Sequence, residues 1–96
     1  MVKFGEIINS NAPTLIDFHD ENEKSLLQNV LSDVAAALGD KARVIKINIS
    51  KNETLVNALR IKGNPTFIIY KNGEMKWRQS GQQDATTLIN LVEQFV

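Results

Sequence analysis

Two short β-branched runs on either side of one long amphipathic segment limit the fold of this chain more than any other feature. The runs are residues 14–18 (TLIDF) and 43–49 (RVIKINI). Between them, apolar residues recur on one helical face through Leu31, Val34 and Leu38, and Gly39 is expected to end the helix. Two parallel strands need a crossover of a dozen or more residues, usually a helix, so this pattern predicts a βαβ unit.

Three further helices are indicated by apolar residues spaced three or four positions apart. The first has Phe4, Ile7 and Ile8 on one face and is expected to stop near residues 9–13. The second follows a capping-box spacing from Ser50 to Glu53 and is expected to end at Gly63. The third is expected to have Asp84 as its N-terminal cap and to cover a sheet with its apolar stripe.

A β-hairpin is predicted where Asn72-Gly73 separates residues 66–70 from residues 75–79. Met75 and Trp77 alternate along the second strand and are expected to lie in the core beneath a helix. With the βαβ unit, this ββα unit predicts a mixed four-stranded sheet and an N-terminal helix. We therefore expect an α/β fold, a three-layer α/β/α sandwich that forms one domain over residues 1–96.

The composition excludes several function classes. Eleven basic and eleven acidic residues cancel, without a basic stripe, which argues against nucleic acid or an anionic membrane as partner. The chain has no cysteine and a single histidine, so no thiol nucleophile, disulfide or multi-histidine metal site is available, and we expect neither a metal nor a cofactor. Since neither a secretory signal nor a bilayer-spanning stretch is visible, we expect a cytoplasmic protein.

Four motifs together resemble the thioredoxin family over nearly the whole chain. They are TLIDF, VIKINIS, NPTFIIYKNGE and WRQSG. The resemblance implies a thioredoxin-like fold and a cis proline at Pro65. It also implies a peptide groove formed by Asn64, Pro65, Thr66 and the turn at Gly81, where backbone groups could pair with an extended peptide.

The sequence departs from the family where the family has Trp-Cys-Gly-Pro-Cys. The corresponding loop holds His19, Asp20, Glu21, Asn22, Glu23 and Lys24, and it appears two residues shorter. A two-residue deletion inside the helix would rotate its apolar face by about 200 degrees, so the shortening is assigned to the loop. Residues 21–24 then lie over Cys-Gly-Pro-Cys, whereas an ungapped alignment would place Glu23 and Leu26 at the cysteine positions. Neither alignment supplies the thiolate that disulfide exchange requires.

Polar residues of this loop have structural interpretations as well as chemical ones. Asp20 and Glu23 have the spacing of a capping box, which we favour over a catalytic carboxylate pair. His19 could transfer protons or sense pH, but a lone loop histidine is usually polar surface. A hydrolytic pair of His19 with Ser25 is disfavoured, because Ser25 is expected to face solvent.

Asp17 lies within an apolar strand, where a buried carboxylate needs a partner or a proton. In the family an aspartate here is implied to accept a proton from the buried cysteine, which this chain lacks. Alternation along adjacent strands would place Asp17 and Lys46 on the same face, so we predict a buried charge pair between them.

The expected function is a redox-inactive, thioredoxin-like module that binds a protein or peptide of unknown identity, as a monomer or a homodimer. Two alternatives stay open. One is a thioredoxin-type oxidoreductase by descent, acting in redox homeostasis or through an unrecognised nucleophile. The other is a structural, dimer-forming subunit in which the altered loop makes the interface.

Overall fold

A computed structural model describes residues 4–20, 24–62 and 65–96, with only the backbone for residues 24–28. Its helices are α1 (Phe4–Ile8), α2 (Lys24–Leu38), α3 (Glu53–Leu59) and α4 (Ala85–Glu93), and its strands are β1 (Thr14–His19), β2 (Arg43–Asn48), β3 (Thr66–Lys71) and β4 (Glu74–Ser80). Short 3-10 turns follow α2 and β2. None of the helices in these ranges is long and apolar enough to cross a bilayer.

The four strands form one mixed sheet in the order β2-β1-β3-β4. β1 and β2 run parallel, as the βαβ pattern predicts, and β3 pairs antiparallel with both β1 and β4. One face carries a core in which Leu15 and Phe67 contact α2 and α4. The other face carries a core in which Phe18 and Ile68 contact α1 and α3. The predicted three-layer α/β/α sandwich is thereby confirmed.

The predicted hairpin between β3 and β4 is present, and its turn binds the C-terminal end of α1. Asn72 and Gly73 have φ angles of 54° and 81°, the left-handed values that the tightest two-residue hairpin turns need at both positions. Their backbone N–H groups donate to Ser10 O at 2.8 Å and to Ile8 O at 3.1 Å. The turn therefore holds the end of α1 against the sheet.

Cationic side chains from the strands bind carbonyl oxygens near the ends of three helices. Arg43 Nη1 donates to Ile7 O at 2.8 Å, and Lys71 Nζ donates to Phe95 O at 2.6 Å. Arg78 donates to two carbonyls at the end of α3. Terminal carbonyls lack intrahelical partners and carry partial negative charge, so these bonds satisfy them and fix the helix ends.

The expected boundaries of α3 are wrong at both ends. Ser50 does not cap it, because Ser50 N and Oγ both donate to the Asn48 side chain, at 2.9 and 2.7 Å, within a 3-10 turn. A local side-chain bond of this kind competes with capping. The helix ends at Leu59 rather than near Gly63, because Arg60 takes a left-handed conformation with φ 55°.

The expectation that Met75 lies in the core with Trp77 is also wrong. Trp77 is half-buried and packs against the α2/α4 core, whereas Met75 is 44% exposed. Ile69 pairs with Trp77 but Tyr70 pairs with Met75, so Lys76 is an extra residue in a β-bulge. A bulge breaks the period of two, and Met75 therefore does not share the core-facing side of Trp77.

Candidate functional site

The candidate site lies at the edge of the sheet where β1, β2 and β4 end and β3 begins. His19 pairs with Asn48 of β2, and Phe18 pairs with Thr66 at the start of β3. Thr66 in turn pairs with Ser80 at the end of β4. The sheet register therefore brings residues 18–20, 65–66 and 80–81 to one end of the molecule, although they are far apart in sequence.

Pro65, Thr66 and Gly81, three of the four predicted groove residues, come together at this edge. Gly81 N donates to Pro65 O at 2.8 Å, and the hydroxyls of Thr66 and Ser80 are 3.2 Å apart. Pro65 and Thr66 are buried. Gly81 has φ 96°, a conformation that strongly favours glycine, so a side chain at this position would strain the turn. Asn64 lies outside the described residues, and the cis geometry of Pro65 stays a prediction.

His19 and Asp17 form a contact that the sequence interpretation missed. His19 Nδ1 lies 3.2 Å from Asp17 Oδ2, although the two are not aligned as a hydrogen bond. The Asp17 side chain is 1% exposed and that of His19 is 16% exposed, so His19 is not the polar surface residue expected of it. Alternation from Asp17 to His19 was the available signal, because residues two apart in a strand share a face. A protonated His19 would stabilise the buried carboxylate.

The register predicted for Asp17 and Lys46 is present, because the two residues are direct partners between β1 and β2. Asp17 is fully buried, but Lys46 is exposed, so the pair is not buried at both ends. A long lysine side chain can extend over a strand with its ammonium group in water. An ion pair between these two side chains stays a prediction.

The altered loop is only partly described. Asp20 is half-buried, and Lys24 begins α2. Glu21, Asn22 and Glu23 lie outside the described residues, as does the side chain of Ser25. The predictions of a capping box and of a His19–Ser25 pair therefore fall partly outside them as well. In α2, Leu31 and Val34 face the core, as expected if the shortening precedes the helix.

The described part of the chain contains no cluster of three or more histidine, aspartate or glutamate side chains that could hold a metal ion. The groups of the described site are the carboxylates of Asp17 and Asp20, the imidazole of His19, hydroxyls and backbone amides. These groups can bind a peptide and exchange protons, but the chain has no sulfur nucleophile with which to attack a disulfide.

Comparison with known proteins decides the family, because the sequence model of the family described as Thioredoxin matches residues 2–94. The chain belongs to the thioredoxin family. It is 36% identical over 93 residues to thioredoxin Y of rice chloroplasts, covering 94% of this chain and 55% of that protein. It is 28% identical over 93 residues to thioredoxin of Rickettsia felis, covering 95% of this chain and 89% of that one.

The chain thus spans about half the length of the rice thioredoxin that it matches. Among solved structures, chloroplastic thioredoxin z superposes with a TM-score of 0.77 at 27% identity, covering 88% of this chain and 79% of that one. The thioredoxin resemblance predicted from four motifs is confirmed. Because the chain has no cysteine, it lacks the thiols that classical thiol-disulfide exchange requires.

Proposed function

We propose that this thioredoxin-family chain is a redox-inactive binding module that takes an extended peptide of a partner protein in the groove beside Pro65. The observation that supports the proposal is that Pro65 and Gly81 are joined by a backbone hydrogen bond in a chain without cysteine. Gly81 N still donates to Pro65 O at 2.8 Å, in a chain that has no cysteine at all. The corner can therefore be kept for recognition without the reaction.

Recognition of this kind depends on backbone groups held in fixed positions, not on a thiol. The corner is rigid because Pro65 and Thr66 are buried and Gly81 is locked by its hydrogen bond. Chloroplastic thioredoxin z, similar in fold, is described as having a novel type-specific target recognition. Selective recognition on this fold supports a binding role here.

The histidine beside the groove gives the site a polar wall. Its contact with buried Asp17 restricts its orientation, and 16% of its side chain stays exposed at the edge of the sheet. We propose that His19 contacts the bound peptide while Asp17 holds the imidazole in place. His19→Gln should then weaken peptide binding without abolishing it, because the amide keeps a polar wall but loses the contact with Asp17.

Selection from a random heptapeptide display library tests the groove. Peptides selected on the wild type are then titrated against Pro65→Ala and against the matched control Pro13→Ala. Pro13 is also buried, but it precedes β1 at the opposite end of the sheet. We expect selected peptides to bind the control as well as the wild type and to bind Pro65→Ala more weakly, with amide shifts at Thr66 and Gly81 in NMR spectra.

Equal affinity for the two proline variants, or shifts confined to other strands, would contradict the groove. A separate assay tests the redox half of the proposal, with reduction of an insulin disulfide by dithiothreitol as the readout. The chain is expected to leave the rate at that of buffer. Turnover above buffer would favour the oxidoreductase alternative instead.

A further inference from the structure

The turn between β3 and β4 carries a residue pair with chemistry of its own. Asn72 is the only asparagine of the sequence that is followed by glycine. Because glycine has no side chain to obstruct the approach, its backbone nitrogen can attack the side-chain carbonyl carbon of a preceding asparagine. Asn72 and Gly73 are both exposed at the tip of the hairpin, so water has access to the reacting groups. The pair is therefore a candidate site of covalent modification.

The modification begins with closure of a succinimide ring. The bond that forms joins Gly73 N to Asn72 Cγ. The bond that breaks releases the side-chain amide nitrogen, which takes up the proton of Gly73 N and leaves as ammonia. Water then adds to one of the two ring carbonyls and opens the ring, which gives either aspartate or isoaspartate. In isoaspartate the main chain runs through the former side chain and is one methylene longer. The sequence of steps needs no oxidant or reductant.

The end of α1 holds the attacking nitrogen in the folded protein. Gly73 N donates to Ile8 O at 3.1 Å, and Asn72 N donates to Ser10 O at 2.8 Å. A hydrogen bond from the neutral N–H disfavours the loss of its proton. The two-residue turn also fixes Asn72 and Gly73 in left-handed conformations. Gly73 N must therefore leave Ile8 O before it can approach the side chain of Asn72.

α1 is held in place by few contacts. It has five residues, too few for a stable isolated helix, and Ile8 is the only buried one among them. Besides the two bonds from the turn, the described contacts include a bond from Arg43 Nη1 to Ile7 O at 2.8 Å. The rings of Phe4 and Tyr70 also meet edge to face, with centroids 5.5 Å apart. An element with so few buried contacts opens locally more easily than the core, so undocking of α1 would free the turn while the sheet stays folded.

We propose that Asn72 is a site of deamidation whose rate is set by the docking of α1, and that isoaspartate at this position prevents α1 from docking again. The added methylene lengthens a turn that requires two residues of positive φ, so its N–H groups no longer meet Ser10 O and Ile8 O. Aspartate keeps the normal main chain, and Asp-Gly suits the same turn, so the aspartate product is expected to hold α1. This site is separate from the groove, because Pro65 precedes β3 and Asn72 follows it.

The rate of deamidation tests the control by α1. The intact chain is incubated in mildly alkaline buffer, and peptide mapping by mass spectrometry follows Asn72. The same chain unfolded in guanidinium chloride gives the unprotected rate, and the native rate should be lower by about tenfold or more. Phe4→Ala removes the contact with Tyr70 and should raise the native rate about tenfold. Phe4→Leu, a milder change, should give an intermediate rate even if the alanine variant does not fold.

Ile89→Ala is the matched control for the loss of a half-buried side chain. Ile89 is half-buried as well, but it packs against the α2/α4 core on the other face of the sheet. Its loss should leave the native rate at Asn72 near that of the wild type, and urea denaturation gives the free energy of unfolding of each variant. Equal rates in the native and unfolded chain would overturn the control by α1. Equal acceleration by the Phe4 and Ile89 variants at matched stability would overturn it too, because global unfolding would then set the rate.

Amide hydrogen exchange tests the consequence of the modification. The isoaspartate form, purified by chromatography and identified by isoaspartyl methylation, should lose protection at Gly73. Asn72→Asp has the same charge with a normal main chain and should keep that protection. Exchange at Gly81, whose N–H bonds to Pro65 O, should be the same in both forms. Retained protection at Gly73 in the isoaspartate form would overturn the proposed loss of docking.

Discussion

Arg78 fixes the C-terminal end of α3, and its removal gives the most informative stability experiment. Nη1 donates to Leu59 O at 2.6 Å, and Nη2 donates to Arg60 O at 2.7 Å. Both carbonyls belong to the last turn and C-cap of α3. Arg78→Met keeps most of the aliphatic stem and deletes the donors.

The magnitude follows from the two bonds and their exposure. An intramolecular hydrogen bond contributes about 0.5–1.5 kcal/mol, and more when one partner is charged. A cation at a helix C-terminus adds about 0.3–1 kcal/mol. Both bonds are exposed to solvent, and the two contributions overlap. We therefore expect Arg78→Met to lower the free energy of unfolding by about 1–2 kcal/mol, which corresponds to about 5–15 °C in Tm for a domain of this size.

Urea denaturation followed by Trp77 fluorescence measures the change. Lys76→Met on the same strand is the control, because Lys76 is exposed and bonds only to the exposed Glu74 among the described contacts, so its loss should change stability by less than about 0.5 kcal/mol. Arg78→Lys should lose an amount of stability between those of Lys76→Met and Arg78→Met, since one ammonium cannot reproduce both bonds of the guanidinium. Amide exchange at Arg60 and Ile61, whose N–H groups bond to carbonyls of α3, should quicken in Arg78→Met. Equal stability of the two methionine variants would refute the assigned role.

Three further predictions concern single positions. Gly73→Ala should lower the free energy of unfolding by about 1–2 kcal/mol, because a side chain is strained at φ 81° even though no atom lies within 4 Å of the added Cβ. Gly5→Ala adds a Cβ in equally open space within α1 and should not destabilise the protein in the same urea titration. Burial raises the pKa of Tyr70, so the stability that this side chain contributes below pH 10.0 is lost as the pH rises through its pKa in the folded protein. Tyrosinate absorbance from the single tyrosine reports that titration, and Tyr70→Phe should shift alkaline unfolding to higher pH. Hydrogen bonds from Thr87 lower the pKa of Asp84 from 3.8, so the stability that the ionised cap contributes is lost as the pH falls through its pKa in the folded protein. Asp84→Asn can still cap α4 but does not titrate, so it should make acid unfolding less steep in a pH titration followed by circular dichroism.

Periodicity and turn chemistry were sufficient to predict the order of elements. The βαβ unit follows from β-branched runs around an amphipathic helix, and the hairpin follows from Asn72-Gly73, whose φ angles match the predicted turn. The cap at Asp84 was also predictable, and its Oδ1 accepts from Thr87 N at 2.7 Å. Each of these signals is local in sequence, and the geometry that it requires is local as well.

The failures come from competition that one segment cannot reveal. Ser50 has a good capping spacing, but the Asn48 side chain is closer and takes both its donors. Arg60 ends α3 in a left-handed conformation that is stabilised from outside the helix, since Arg78 of β4 binds its carbonyl. The bulge at Lys76 likewise depends on pairing between strands. Only the assembled sheet shows these partners.

The site was predictable in part. The proximity of Pro65, Thr66 and Gly81 followed from the resemblance, and the register of Asp17 with Lys46 followed from alternation. The same alternation extends to His19, which the resemblance assigned to the loop and which the structure places at the end of β1. Assigning that residue to a loop hid its contact with Asp17.

Cationic side chains on three strands hold helix ends through bonds that lie outside the altered loop. Arg43 anchors the end of α1, Arg78 anchors α3, and Lys71 anchors the segment that follows α4. All four bonds lie outside residues 19–25, so the helix ends that they hold do not depend on the loop where the family places its thiols. Substitution or shortening of that loop is therefore expected to leave these three helix ends in place.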